Sequence, residues 1–193
     1  MIRSAVVWLL ALFLVILLAP LILLISLLIR LDSRGPLFYT PLMIGFRGRP
    51  FHLYRFRTMH NDQPTGTPTR ERLTTVGRFI RRYSLDHLPA LLNLLNNSLT
   101  LIGPRPMEPD LVDMSDPAWQ RYFSAKPGLI NYAVIRLGKN WSVNHYTNPN
   151  VNRDLEVEYI RRKSLSFDLR LLMQFVVGLI QSKGNIKSRG LPK

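Results

Sequence analysis

Hydrophobic and polar positions along the chain separate it into two regimes. From Ser4 to Ile29 there are 26 residues without a charge, closed by Arg3 on one side and Arg30 on the other. About 20 apolar residues suffice to cross a hydrocarbon core roughly 30 Å thick. A signal peptide has a shorter apolar region and ends in a small-residue cleavage site, so this run is too long for one. Pro20 lies near its middle, where it removes a backbone hydrogen bond and favours a kink. Cations flank both ends, Arg3 before the run and Arg30, Arg34, Arg47 and Arg49 after it, which favours keeping both ends on the cytoplasmic side. A helix that enters, breaks at Ala19-Pro20 and returns satisfies both features. A single span stays open beside it, because proline is tolerated in spanning helices.

After Arg30 the pattern turns mixed. LDSRGP reads as a turn, and FHLYRFRTM alternates apolar with polar residues as a half-buried strand does. HNDQPTGTPTRE reads as a loop, and LTTVGRFIRRYS as a short cationic helix. In SLDHLPALLNLLNN the positions Leu88, Leu91, Leu92 and Leu95 fit one helical face, and Pro89 belongs in the first turn, so the helix starts near Ser84 to Asp86. RYFSAKPGLINYAVI suggests a turn feeding a short strand. Near the end, Phe167, Leu171, Phe175 and Leu179 share one face of a helix whose cations lie elsewhere. That helix reads either as a core helix with a solvated charged face or as one lying in the membrane interface, and the two readings are compatible.

With 193 residues the prior is one domain plus an anchor. The absence of cysteine excludes disulfides, thiolate metal sites and a cysteine nucleophile, and four scattered histidines argue against structural zinc. The net charge of +14 points to anionic partners, whether headgroups, nucleic acid or a phosphorylated small molecule. No nucleic-acid-binding signature is present, so nucleic acid is set aside. Among the remaining residues one constellation suits attack on phosphorus. Asp86 falls at a helix start, where phosphoryl oxygens are stabilised, and aspartate is a known phosphoryl nucleophile. Arg105, in a rigid Pro-Arg-Pro, can clamp those oxygens bidentately. Taken singly, Asp86 as a helix cap and Arg105 as a surface cation are the simpler readings.

In order and surroundings these residues resemble the bacterial sugar transferases, the monotopic phosphoglycosyl transferases that act on polyprenol phosphate. The resemblance runs through the proline-broken apolar helix, Gly35-Pro36 with Phe38, Gly45, Phe51 and YRFRTM. It continues in RLTTVGRFIRR, SLDHLP, LIGPRP, KPG and EYIRRKSLSFDLRLL. It implies an α+β fold, with a re-entrant membrane helix over 1–31 and a small, mostly helical domain over 32–193 carrying a few short strands and interfacial amphipathic helices. The implied membrane residues are Trp8, Phe13 and Pro20 in the first helix and Phe167, Leu171, Phe175 and Leu179 in the last. The implied place is the bacterial inner membrane, globular part on the cytoplasmic face.

The reaction so implied passes a sugar phosphate from a nucleoside diphosphate sugar to polyprenol phosphate through an aspartyl intermediate, with Mg²⁺ neutralising the diphosphate. Asp86 matches the nucleophile and Arg105 the arginine of the Pro-Arg-Pro turn. Arg55, Arg57, Arg72 and Arg78 are placed to meet phosphates, although for any one of them a solvated or headgroup-facing surface is the simpler reading. The family's magnesium-associated glutamate is here His87, a nitrogen where a hard cation prefers carboxylate oxygen. Pro41 and Met43 stand where the family has glutamine and arginine before Gly45. Ser98 and Thr100 replace an acid and a serine. Leu129-Ile130-Asn131-Tyr132-Ala133-Val134 replaces Ile-Thr-Gly-Trp-Ala-Gln, and Ala19 replaces the serine before Pro20. Polar groups around the substrate change while the apolar faces and Gly-Pro turns persist. An alternative therefore accompanies the enzyme reading: an impaired family member, without cofactor, serving as a structural subunit beside other membrane proteins.

Overall fold

A computed structural model of the chain describes residues 2–60, 72–138 and 148–182. The elements in chain order are α1 (Ile2–Asp32), β1 (Phe38–Tyr39), β2 (Leu42–Ile44), β3 (Pro50–His52), β4 (Arg55–Phe56), α2 (Thr75–Arg82) and α3 (Leu91–Leu95). They continue with β5 (Thr100–Ile102), α4 (Pro117–Tyr122), β6 (Gly128–Ile130), α5 (Tyr132–Leu137), α6 (Pro149–Arg162) and α7 (Leu165–Ser182). This is a mixed, mainly helical fold with one long apolar helix at its start. Most of the expected HNDQPTGTPTRE loop, and the side chain of Leu179, lie outside the described residues.

Among the described residues two compact units emerge, one from 2–41 with 53–60 and 72–95, the other from 42–52 with 96–138 and 148–182. In the first, α1 is continuous and Pro20 lies inside it without ending it. Its C-terminal part is the structural half: Ile25 and Ile29 are buried with Phe56 and Ile80, ringed by Leu21, Leu37, Val76 and Leu85. Farther back, Leu9, Phe13, Ile16 and Leu17 are exposed, Phe13 to 60%. Each such side chain left in water rather than hydrocarbon costs about 1.5–3 kcal/mol. The helix is therefore made for an apolar surrounding, and its length suits a membrane.

The junction after α1 is tied down by polar contacts. Arg57 sends its guanidinium to the Ser33 and Arg34 carbonyls and to Ser33 Oγ. Asp32 accepts the Val76 N–H at 2.8 Å, and Thr74 accepts that of Gly77 at 2.8 Å, so two side chains cap the start of α2. Here α2 approaches the backbone of Thr58 so closely that a Cβ on Gly77 would sit 2.0 Å from the Thr58 carbonyl oxygen. The predicted FHLYRFRTM strand is real but split. Its first part, β3, pairs antiparallel with β2, and its second, β4, with β1.

In the second unit, β5 and β6 run parallel with Ile102 opposite Ile130. Gly103 N–H donates to the Ile130 carbonyl and Gly128 N–H to the Pro104 carbonyl, which extends the pairing into the Gly-Pro-Arg-Pro turn. One apolar cluster joins Ile102, Ile130, Tyr132, Tyr159 and Leu171, with Phe167 and Phe175 packed on it. A second joins Met107, Trp119, Tyr122, Phe123 and Val157. Leu171 is thus a core residue, and Phe167 and Phe175 face the core with it. The opposite face of α7 presents Leu165, Leu169, Met173, Val176 and Val177 as exposed apolar side chains.

Candidate functional site

The helical face predicted from Leu88 to Leu95 forms in two pieces, a 3-10 turn over Leu85–Ala90 and then α3. Pro89 shares the turn, where its missing N–H costs least. Ser84 enters it with φ of 56°, a left-handed conformation that costs a non-glycine residue about 1–2 kcal/mol. That corner turns the chain sharply after α2 and directs Asp86 inward.

Asp86 is buried, at 8% exposure. Burial raises its carboxyl above the ordinary range, and the guanidiniums of Arg55 and Arg81 act against that shift. A carboxylate raised by burial is a better nucleophile than a solvated one, and the two arginines stabilise its ionised form. His87 is half-exposed, with Nε2 3.6 Å from Asp86 Oδ2, an ion-pair distance rather than a hydrogen bond.

Of the predicted phosphate-binding cations, Arg55 on β4 reaches Asp86 electrostatically. Arg78 is exposed on α2, and Arg72 is half-buried next to the bridge of Met59 with Leu73. Arg57 is buried and its donors go to the backbone after α1, so it serves the joint of the unit. Arg81 was missed in the sequence. The signal was there, because Arg81 follows Gly77 by four residues and shares the inward side of α2 with it and Ile80, both buried.

In the second unit, Arg105 is half-buried. Tyr122, wholly buried, donates its hydroxyl to the Arg105 carbonyl at 2.6 Å and thereby fixes the backbone of the turn. Asn131, at one of the changed family positions, donates through Nδ2 to the Gly103 and Gly128 carbonyls at 3.0 and 2.9 Å, just before that turn. Glu156 on α6 is fully buried. It accepts the Ala133 N–H at 2.9 Å, and burial pushes its carboxyl up to about 8 against the opposing pull of the Ala133 and Tyr132 N–H groups and of Arg105. Nothing in the sequence pattern marked Glu156, which sits in a run that reads as a solvated helix face.

Mg²⁺ prefers carboxylate and phosphate oxygens. Beside Asp86 stand an imidazole and two guanidiniums, and among the described residues no three His, Asp or Glu side chains gather. This donor set does not fit a Mg²⁺ site held by the protein alone.

The sequence pattern of the family described as bacterial sugar transferase matches residues 1–182. The chain is 35% identical to the uncharacterized sugar transferase EpsL of Bacillus subtilis, over 81% of this chain and 76% of that one. It is 34% identical to the UDP-glucose:undecaprenyl-phosphate glucose-1-phosphate transferase of Caulobacter vibrioides, over 84% of this chain and 63% of that one. A third relative is the exopolysaccharide production protein ExoY of Rhizobium meliloti, 30% identical over 88% of this chain and 81% of its own length. Some relatives are far longer: the chain spans 31% of the undecaprenyl-phosphate glucose phosphotransferase of Komagataeibacter xylinus. With its family pattern matched from end to end of the described fold, the chain belongs to the bacterial sugar transferase family.

Proposed function

We propose that the protein is a membrane-associated transferase that moves a sugar phosphate from a nucleoside diphosphate sugar to polyprenol phosphate. The observation that carries this reading is Asp86, buried and raised by burial, with Arg55 and Arg81 acting on it. An Asp86 carboxylate oxygen attacks the phosphorus next to the sugar. The bond from that phosphorus to the bridging oxygen breaks, and the nucleoside monophosphate leaves with the electron pair. A phosphate oxygen of the polyprenol phosphate then attacks the aspartyl-bound phosphorus and Asp86 is freed. Arg55 and Arg81 balance the charge on the transferred group. The relatives' names, several of them undecaprenyl-phosphate sugar phosphotransferases, support the substrate classes.

In this reading α1 is re-entrant at Pro20, with both ends on the cytoplasmic face of the inner membrane. The support is a proline inside an apolar helix with cations at both ends. The exposed apolar face of α7 lies in the interface, near the cations Arg161, Arg162, Lys163 and Arg170. Single cysteines can be introduced cleanly, because the chain has none. Labelling of positions 3 and 34 from the same side of sealed vesicles is the expected result, and labelling from opposite sides would remove the re-entrant topology.

One observation favours a second reading, an impaired member serving as a subunit of a membrane assembly. At the family's glutamate position His87 supplies no carboxylate, and the donor set does not fit magnesium. Release of nucleoside monophosphate by the purified protein with nucleotide sugars and magnesium decides between the two. Release that is abolished in Asp86→Asn supports the transferase. No release from the natural protein or from His87→Glu supports the subunit.

A further inference from the structure

Within the first unit, α1 and the segment after Asp86 enclose a cavity of about 210 Å³. Its walls are Val15, Ala19 and Leu23 from α1 with Leu88, Leu91 and Leu92 from the turn and α3, and every other lining side chain is apolar too. Leu88 comes two residues after Asp86, about 4 Å along a 3-10 segment. The apolar lining thus starts two residues along the chain from the buried carboxylate.

We infer that this groove seats the proximal part of the polyprenyl chain of the acceptor lipid, so that the chain's first units run between α1 and α3 while its phosphate is presented at Asp86. The inference rests on the transferase reading for the identity of the lipid. Three observations select that occupant. The ligand must be amphiphilic, since Arg55 and Arg81 act at the Asp86 end of the segment while the cavity holds no polar wall. One wall is α1, whose exposed side chains need a hydrocarbon surrounding, so a lipid chain reaches the groove without crossing water. The cavity is small, which suits one chain carrying a terminal phosphate monoester better than a glycerophospholipid with two chains and a diester. Ala19 matters here for its size: a small residue on α1 keeps the groove open between larger neighbours.

The test uses the full chain in nanodiscs and a polyprenyl phosphate with a photoreactive group on its first isoprene units. Crosslinks mapped by peptide mass spectrometry should fall in 15–23 and 88–92. Unlabelled polyprenyl phosphate should compete for them, and phosphatidic acid should not. Ala19→Trp fills the groove from α1, and Leu92→Trp fills it from the other wall should the first variant fold poorly. Either should weaken labelling about tenfold, what losing about two buried methylenes costs. Leu17→Trp, on the opposite side of α1 by helical spacing, should leave it unchanged. Equal competition by phosphatidic acid, or equal labelling in the filled variants, would overturn the inference and leave the groove as ordinary lipid contact. Release of nucleoside monophosphate does not involve the acceptor, so the two readings fail separately. Release with no labelling of the groove sinks the groove alone, and saturable labelling without release sinks the transferase while the groove stands.

Discussion

Replacing the buried Glu156 with glutamine isolates the energetic consequence of burying an acid in the core. Its carboxyl is fully buried, with Oε1 held by the Ala133 N–H and Oε2 facing no hydrogen-bond partner. Burial raises it from 4.5 to about 8, and the charged or titratable groups acting around it are Arg105, which opposes the shift, and Tyr122, itself driven well above its ordinary value by burial. Between those two pH values the folded state keeps the proton that the unfolded chain releases. Stability must therefore fall as pH rises, by about 1.4 kcal/mol per unit. From pH 5 to pH 7 that is roughly 2.7 kcal/mol, or about 5–11 °C in Tm for a chain of this size. Glutamine keeps the acceptor for Ala133 and has no proton to lose. In a neutral detergent, the Tm of Glu156→Gln relative to the natural protein should accordingly rise between pH 5 and pH 7, while other titrating groups cancel in the difference. An unchanged difference across that range would refute the account of Glu156 as a neutral buried acid.

Gly77→Ala places a Cβ 2.0 Å from the Thr58 carbonyl oxygen, so α2 must shift; a loss of about 2–3 kcal/mol, read as a lower Tm, is expected. Arg57→Lys keeps the charge but cannot reproduce the fork to the Ser33 and Arg34 carbonyls, and should cost about 1–3 kcal/mol and speed proteolysis near 33–36. An environment-sensitive fluorophore on a cysteine at Met173 should emit as if in hydrocarbon in anionic nanodiscs, and one at Gln174 as if in water; matching spectra would remove the interfacial face of α7. In the transferase reading attack needs the Asp86 carboxylate, whose pKa burial raises, so release of nucleoside monophosphate should decline on acidification with a midpoint above the ordinary aspartate value of 3.8.

What the sequence revealed follows the range of the forces involved. The apolar run, the leucine spacing after Asp86 and the cationic helix are local patterns, and α1, the 3-10 turn with α3, and α2 all appear where those patterns put them. Separating Arg57 from Arg55 needs tertiary information. They alternate in one strand-like stretch, yet one reaches Asp86 and the other is used up by carbonyls 23 and 24 residues earlier. The same holds for α7. Its spacing identified Phe167, Leu171 and Phe175 as one face, and only the packed core shows that this face turns inward and leaves a second apolar face outside. Glu156 was illegible because a buried acid in EVEYIRRK looks like any solvated one until α5 and α6 meet.

The changed family positions divide by what the present residues do. Asn131 is buried and holds two backbone carbonyls beside the Pro-Arg-Pro turn, so glycine there would forfeit two hydrogen bonds and open space in the core. That substitution is built into the fold, and Tyr122 on the Arg105 carbonyl belongs to the same support. His87 stands differently. Its side chain is 40% exposed, with Nε2 3.6 Å from Asp86 Oδ2, longer than a hydrogen bond. The burial of Asp86 and the two guanidiniums acting on it come from the 3-10 turn, β4 and α2. In the transferase reading, His87→Glu therefore changes the ligand set beside Asp86 without removing either of the arginines acting on it.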